Sequence, residues 1–358
     1  MSRPAWAEVD LGAIAHNLRT LAALAAPAEV CAVVKADGYG HGAVEVARAA
    51  LDAGAAWLAV ALPQEGRELR EAGIGAPILL LSEPLEWGEA LEADLTLTVH
   101  SERAIDALAG TGCRPVHLKV DTGMRRIGAR PEEAVSRAQR LLDAGLDLGA
   151  VWTHCAVADE PGNPFTDHQA DAFDAVLADL RAAGIDPPLV HAANSAATIA
   201  HPRLRHDLVR VGIALYGLAP SPAMQGDADL RPALSLRGRV THVQRVVKGE
   251  AVSYGLRRPA PEDTVVATVP LGYADGVVRR LSQVGGEVAI GGHRRPFAGT
   301  ITMDQLLVDC GPGSDVAVGD EVELIGDHVT AADWARWLDT ITYEVTCGIS
   351  RRVARTYR

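Results

Sequence analysis

"AVVKADGYGHG" (residues 32–42) decides how the rest of the chain is read. A run of small and β-branched residues stops at Lys35, and a glycine-rich turn carrying Tyr39 and His41 follows at once. Such an unbroken apolar run suits a strand of a parallel sheet, buried on both faces. Two parallel folds compete from there. An open doubly wound sheet needs a G-x-G-x-x-G fingerprint after its first strand. "DGYGHG" makes a poor one, because the lysine and tyrosine crowd the turn. A closed (β/α)8 barrel places its chemistry at the C-terminal strand ends, and there a lysine at a strand tip has a use.

Seven further apolar runs follow the first, "EVCAVVK" (29–35): "WLAVA" (57–61), "PILLL" (77–81), "LTLTV" (95–99), "PVHLKV" (115–120), "LGAVWT" (148–153), "PLVHAA" (188–193) and "DLVRVG" (207–212). Alanine-rich stretches of helical spacing separate most of them, as in "AVEVARAALDAGA" (43–55) and "PEEAVSRAQRLLDAGL" (131–146). Strand and helix in alternation indicate βαβ units. The runs fit a TIM-type barrel, whose usual size is about 250 residues. "GLAPSPAMQGDADLRP" (217–232) reads as a linker. Beyond it the runs are short and partly alternating, so the second domain is expected to be β-rich, with one helix at "TAADWARWLD" (330–339) capped by Thr330. The expected division is a barrel over 1–230 and a mostly-β domain over 231–358.

The chain has 358 residues, 48% hydrophobic and 22% charged, with a net charge of −12. The acidic balance argues against nonspecific binding to nucleic acid or anionic membrane, yet permits a local cationic pocket. Cys31, Cys113, Cys155, Cys310 and Cys347 are scattered and form no C-x-x-C, so neither a disulfide framework nor a zinc site is legible. No apolar stretch has the length of a membrane span and no signal peptide is visible. A cytoplasmic protein is expected.

The residues at or just past the strand ends are Lys35, Ser82, His100, Lys119 with Asp121, His154, Asn194 with Ser195, and Arg210 with Gly212. A strand-end lysine among other cations has a depressed pKa, so its amine is neutral often enough to attack an aldehyde. Glycines and a hydroxyl nearby suit a phosphate. The mixture points to a phosphate-bearing cofactor attached through a lysine. Taken singly, Lys35 is equally a rim charge, Tyr254 an amphipathic surface tyrosine and Arg210 a structural arginine paired with an acid.

Nine motifs in order then carry a resemblance: the opening stretch, "HLKVDTGMRRIG" (117–128), "WTHCAVADE" (152–160), "HAANSAAT" (191–198), "VRVGIALYG" (209–217), "VSYG" (252–255), "PLGYADG" (270–276), "TITMDQ" (300–305) and "EVTCGIS" (344–350). Over its whole length the chain resembles the bacterial alanine racemases. The resemblance implies pyridoxal 5′-phosphate (PLP) as cofactor and interconversion of L- and D-alanine, with D-alanine supplied to peptidoglycan synthesis. It also implies a head-to-tail homodimer whose active sites are shared between subunits. Lys35 matches the lysine that carries PLP as an aldimine and serves as a base on one face of Cα. Tyr254 matches the opposing base, delivered by the other subunit. His154 and Arg210 match residues beside that tyrosine and the pyridine nitrogen. Tyr39, Ser195, Gly212 and Ile213 match phosphate-binding positions, with Asn194 next to them.

Arg126 and Met303 match substrate-carboxylate contacts, although Arg125 is adjacent and the sequence alone does not separate the two arginines. Lys119 matches a lysine carbamylated in many members. Tyr273 and Asp304 match entrance residues. In "ISRRV" (349–353) the chain departs from the family: Arg351 stands where many relatives have a tyrosine. That leaves a broader racemase, acting on serine or lysine, as the alternative. A decarboxylase on the same scaffold is disfavoured by Arg210 and the "VSYG" tyrosine. A non-catalytic PLP carrier is disfavoured by the second domain.

Overall fold

The computed structural model describes residues 3–113 and 115–358. Strand β1 (Ala5–Val9) opens the chain and belongs to a sheet described below. The next eight strands are β2 (Glu29–Val33), β3 (Trp57–Val60), β4 (Ile78–Leu80), β5 (Thr96–Val99), β6 (Val116–Lys119), β7 (Leu148–Trp152), β8 (Val190–His191) and β9 (Leu208–Val211). Each falls within one of the apolar runs. They lie parallel in the order β8-β7-β6-β5-β4-β3-β2-β9. The ring closes where Asp207 N donates to Val190 O at 3.1 Å and Arg210 N to Ala193 O at 2.9 Å. This is a (β/α)8 barrel.

The helices follow from spacing. Helix Ala43–Asp52 buries Ala43, Val46, Ala47 and Ala50, which sit three and four residues apart on one stripe. It ends before Gly54, whose φ of 110° suits only glycine without strain. Helix Ala134–Asp143, preceded by the short turn Pro131–Glu133, repeats the pattern with Ala134, Ala138 and Leu141.

The chain divides into two compact units, Leu11–Pro232 and a second formed by the residues up to Asp10 together with Ala233–Arg358. The second unit contains β10 (Leu234–Arg239), β11 (His242–Val246), β12 (Thr264–Val269), β13 (Glu287–Ile290), β14 (His293–Pro296), β15 (Leu306–Gly311), β16 (Glu321–Ile325) and β17 (Ala354–Tyr357). One sheet runs β14-β13-β16-β10-β1-β17 and the other β11-β12-β15. Helix Ala331–Leu338 is capped as expected: Thr330 Oγ1 accepts from Asp333 N at 3.0 Å, and Asp333 accepts from Thr330 N at 3.1 Å.

Two expectations are corrected. The first ten residues do not belong with the barrel. Strand β1 pairs antiparallel with β10 and parallel with β17. Its Ala5, Ala7 and Val9 are buried while Trp6 and Glu8 are half-exposed, the alternation of a one-sided sheet rather than of a barrel strand. The segment 217–232 is also not a loose linker. The Asn17 side chain donates to Leu215 O at 3.0 Å and Arg231 O at 2.9 Å, and accepts from Arg231 N at 2.8 Å. One buried amide therefore ties the segment to the barrel unit. Among the described residues no helix is long and apolar enough to cross a membrane.

Candidate active site

Lys35 stands just beyond β2, half-buried. The backbone after it turns the wrong way for L-residues: Ala36, Asp37, Gly38 and Tyr39 have φ of 53°, 54°, 59° and 52°. Each non-glycine residue there costs roughly 1–2 kcal/mol, so this left-handed turn requires firm support. Gly38 N donates to Val34 O, Gly40 N to Ala36 O and Gly42 N to Asp37 O, at 2.8–3.0 Å. Asp37 Oδ1 accepts from Ala43 N at 3.1 Å. The Tyr39 ring stacks on Tyr216 with centroids 4.8 Å apart, and Tyr216 Oη donates to Val33 O at 2.9 Å. His41 accompanies them, its ring centroid 4.5 Å from that of Tyr216.

The same turn brings the Tyr39 hydroxyl to Gly212, where an added Cβ would strike it. Ser195 Oγ accepts from Gly212 N at 2.8 Å and from Ala214 N at 3.4 Å. Asn194 caps the short helix Ser195–Ala200, its Oδ1 accepting from Ala197 N at 3.0 Å, and Ile213 is buried beside Gly212. Two hydroxyls, backbone amides and a glycine that admits close approach thus converge, a donor set that fits a phosphate.

Arg210 lies inside β9 rather than past it, 3% exposed. Its Nη1 donates to His191 Nδ1 at 2.8 Å. Its Nη2 donates to Thr153 O at 2.8 Å, Ala192 O at 3.0 Å and His154 Nδ1 at 3.2 Å. None of these partners is an acid. An arginine cannot accept a hydrogen bond, so both imidazole Nδ1 atoms are acceptors and each ring carries its proton on Nε2. His191 Nε2 then donates to His117 Nδ1 at 3.1 Å. The donor direction runs Arg210 to His191 to His117 across three strands. Burial lowers the Arg210 pKa to about 10, still charged at neutrality. Burial first, and Arg210 second, hold His154 and His191 well below the usual imidazole range and bring His117 down to about 3.

This neutrality has a measurable consequence. The unfolded chain binds protons to these imidazoles near pH ~6.5, whereas the folded protein resists until far lower pH. Their contribution is therefore intact above that range and is withdrawn as pH falls below it. Each contributes up to about 1.4 kcal/mol per pH unit, so the three together approach about 4 kcal/mol per unit. Urea unfolding midpoints should drop steeply between pH 7 and pH 5. A flat profile there contradicts the neutrality of the three imidazoles in the folded protein.

Lys119 also lies within its strand, β6, and is 3% exposed. Its Nζ sits 3.7 Å from the centre of the Trp152 ring, over which the Arg210 guanidinium also lies, at 4.6 Å. Burial, then the charges of Arg210 and Arg126, lower its pKa well below the ordinary lysine value. Lys119, Asp121, Arg126 and His154 line one small pocket. The Asp121 carboxylate accepts from the backbone of Gly123, Arg125 and Arg126 at 2.9–3.1 Å and so fixes the loop carrying Arg126. The charges of Arg210, Lys119, Arg126 and Lys35 all act on His154. A chain of net charge −12 thus gathers four basic side chains at one end of its barrel.

The remaining expected residues lie in the second unit. Tyr254 is 73% exposed, on a loop where Ser253, Gly255 and Leu256 have φ of 64°, 82° and 44°. Ser253 Oγ donates to Thr300 O at 2.6 Å and Thr300 Oγ1 to Tyr254 O at 3.0 Å, so the backbone is held while the phenol projects. Tyr273 N donates to Thr302 O at 2.9 Å and Ala274 N to Met303 O at 3.1 Å, joining the two expected entrance segments. Buried Asp275 grips Arg3 at 2.6 and 2.7 Å and braces that turn. Arg352 pairs with Asp304 at 2.7 Å.

Sequence reasoning passed over His117, His191, Trp152, Tyr216 and Asp275. A signal existed for His117: in "PVHLKV" it stands two residues before Lys119, and a period of two puts both side chains on the same side of a strand.

Fold and site together define a two-domain (β/α)8-barrel protein whose barrel end gathers basic side chains and a donor set suited to a phosphate. Family models for the alanine racemase N-terminal and C-terminal domains match residues 9–220 and 233–357. The alanine racemase of Symbiobacterium thermophilum is 47% identical over 99% of this chain and 97% of its own. The crystal structure of alanine racemase from Streptomyces lavendulae aligns with a TM-score of 0.92 at 41% identity, covering 99% and 97% of the two chains. That of Bartonella henselae, described with covalently bound pyridoxal phosphate, aligns at 0.90 with 29% identity, covering 99% of each. The chain belongs to the alanine racemase family.

Proposed function

We propose that this protein is a PLP-dependent alanine racemase, with Lys35 and Tyr254 as its two bases. The observation that carries the reading is Arg210, a buried cation held by neutral acceptors at the barrel end that bears Lys35. PLP, when bound, supplies the electron sink that makes an amino-acid α-proton removable. Lys35 would hold PLP through Nζ, and its free amine would take or return a proton at that atom. Tyr254 Oη does the same from the opposite face. Arg210 would face the pyridine ring as a donor that keeps its own proton, because its pKa of about 10 stays above neutrality. Tyr39, Ser195, Gly212 and Ile213 hold the phosphate, with Asn194 fixing the helix start beside them. The planar fork of Arg126 takes the substrate carboxylate, with Met303 contributing its backbone.

Lys119 is proposed to be carbamylated. Its depressed pKa favours the neutral amine that adds to carbon dioxide, and the resulting carboxylate would pair with Arg126 in place of a repelled ammonium. An unmodified amine in an electron-density map of the holoenzyme rules this out. We also propose a cytoplasmic homodimer in which Tyr254, Met303, Tyr273 and Asp304 of one subunit serve the barrel of the other, and D-alanine production for peptidoglycan. Arg351, exposed where relatives carry a tyrosine, favours testing a wider substrate range. The deciding experiment incubates the PLP-loaded protein with each enantiomer of alanine, serine and lysine and resolves the products on a chiral column. Alanine should be racemised at least about tenfold more efficiently than serine, the discrimination a small pocket gives against one added group. No conversion of alanine defeats the reading, and comparable rates on serine or lysine move it to the broader racemase.

A further inference from the structure

We propose that Glu65 is a positioning residue for Lys35, fixing the peptide that follows it so that the amine meets the PLP aldehyde. This rests on the reading of Lys35 as the PLP-bearing lysine. Glu65 lies in the first turn of helix Pro63–Glu71, after β3. Its Oε2 accepts from Ala61 N at 2.8 Å and Leu62 N at 3.1 Å, which caps its own helix. Its Oε1 crosses to the neighbouring strand end and accepts from Ala36 N at 2.6 Å. Capping alone needs one oxygen; the second is committed to the residue after Lys35.

The position of that bond matters. The parallel ladder between β2 and β3 ends with Val34 N donating to Ala59 O. Ala36 N lies beyond the ladder, and Ala36 is the first residue of the left-handed turn. A carboxylate spanning two strand ends thus supplies the bond that the sheet no longer can, at the entry to a backbone conformation that L-residues resist. The Lys35–Ala36 peptide is set by it, and the Lys35 Cα with it. The attachment step requires a narrow approach: Nζ forms a C=N bond to the aldehyde carbon, and the aldehyde oxygen leaves as water with the two amine protons. Phosphate binding depends on it less: Ser195 and Gly212 bond to each other on other elements, and Tyr39, at the far end of the turn, is held by its stacking on Tyr216.

That separation gives the test. PLP can condense with Lys35, whereas pyridoxamine 5′-phosphate carries an amine in place of the aldehyde and binds through phosphate and ring alone. Glu65→Gln keeps the shape but can accept on only one side, because its amide nitrogen faces the other N–H donor. For this variant the dissociation constant of PLP should rise at least tenfold, and borohydride-trapped PLP on Lys35 should fall, while that of pyridoxamine 5′-phosphate stays within twofold. Glu65→Ala, if it folds by circular dichroism, should widen the gap. Equal weakening of both ligands assigns Glu65 to general structure and overturns the proposal, as does unchanged PLP binding. If the unsubstituted protein traps no PLP at Lys35, the cofactor reading itself has failed.

Discussion

Lys35→Ala is expected to reduce alanine racemisation by about 10³-fold or more and to leave no borohydride-trappable PLP on the protein. A positioned acid or base contributes typically 10²–10⁴-fold, and a group that is both attachment point and base loses both roles at once. The fold should survive. Backbone bonds among residues 34–42, the Asp37 and Glu65 carboxylates and the stacked Tyr39 ring hold the left-handed turn. Ser195, Gly212 and Tyr39 remain in place, so PLP should still bind reversibly and dialyse away. Mass spectrometry after borohydride treatment, paired with a chiral rate assay, checks the expectation. A variant that racemises at the original rate removes Lys35 from the chemistry.

The barrel was legible because its strands are apolar along their length and its helices return every three or four residues. Those are local signals, and each of the eight strands falls where its run lies. Strand β1 was not legible as a sheet member of the second unit, because its partners, β10 and β17, lie at least 225 residues further along the chain. Nothing in "AWAEV" encodes which distant edge it will meet. The site divides in the same way. The residues proposed to touch cofactor or substrate sit in recognisable motifs. Residues that act through another side chain do not: His191 and His117 matter only because barrel closure stacks β9, β8, β7 and β6 side by side. Asn17 in the first helix and Arg3 before β1 were equally silent, since each acts on backbone or carboxylate groups more than 190 residues away.

Tyr254→Phe should lower racemisation by about 10²–10⁴-fold while leaving stability unchanged, because the lost hydroxyl belongs to a side chain that is 73% exposed. The loss cannot favour one direction in kcat/KM. L- and D-alanine have equal free energies, so the two directional efficiencies must remain equal in any variant. The asymmetry appears instead in α-hydrogen exchange. With Lys35 intact, one enantiomer should still exchange its α-hydrogen with deuterated water and keep its configuration, while the other exchanges far more slowly. Equal loss of exchange for both enantiomers contradicts a two-base assignment. Pairing the variants tests where the phenol comes from. If Tyr254 serves the neighbouring subunit, a dimer of one Lys35→Ala and one Tyr254→Phe subunit holds one site with both bases and one with neither. Random assortment makes half the dimers mixed, so co-expression should restore about a quarter of the unsubstituted activity from two nearly inactive parents. If each tyrosine serves its own barrel, every site in the mixture lacks one base and no activity returns.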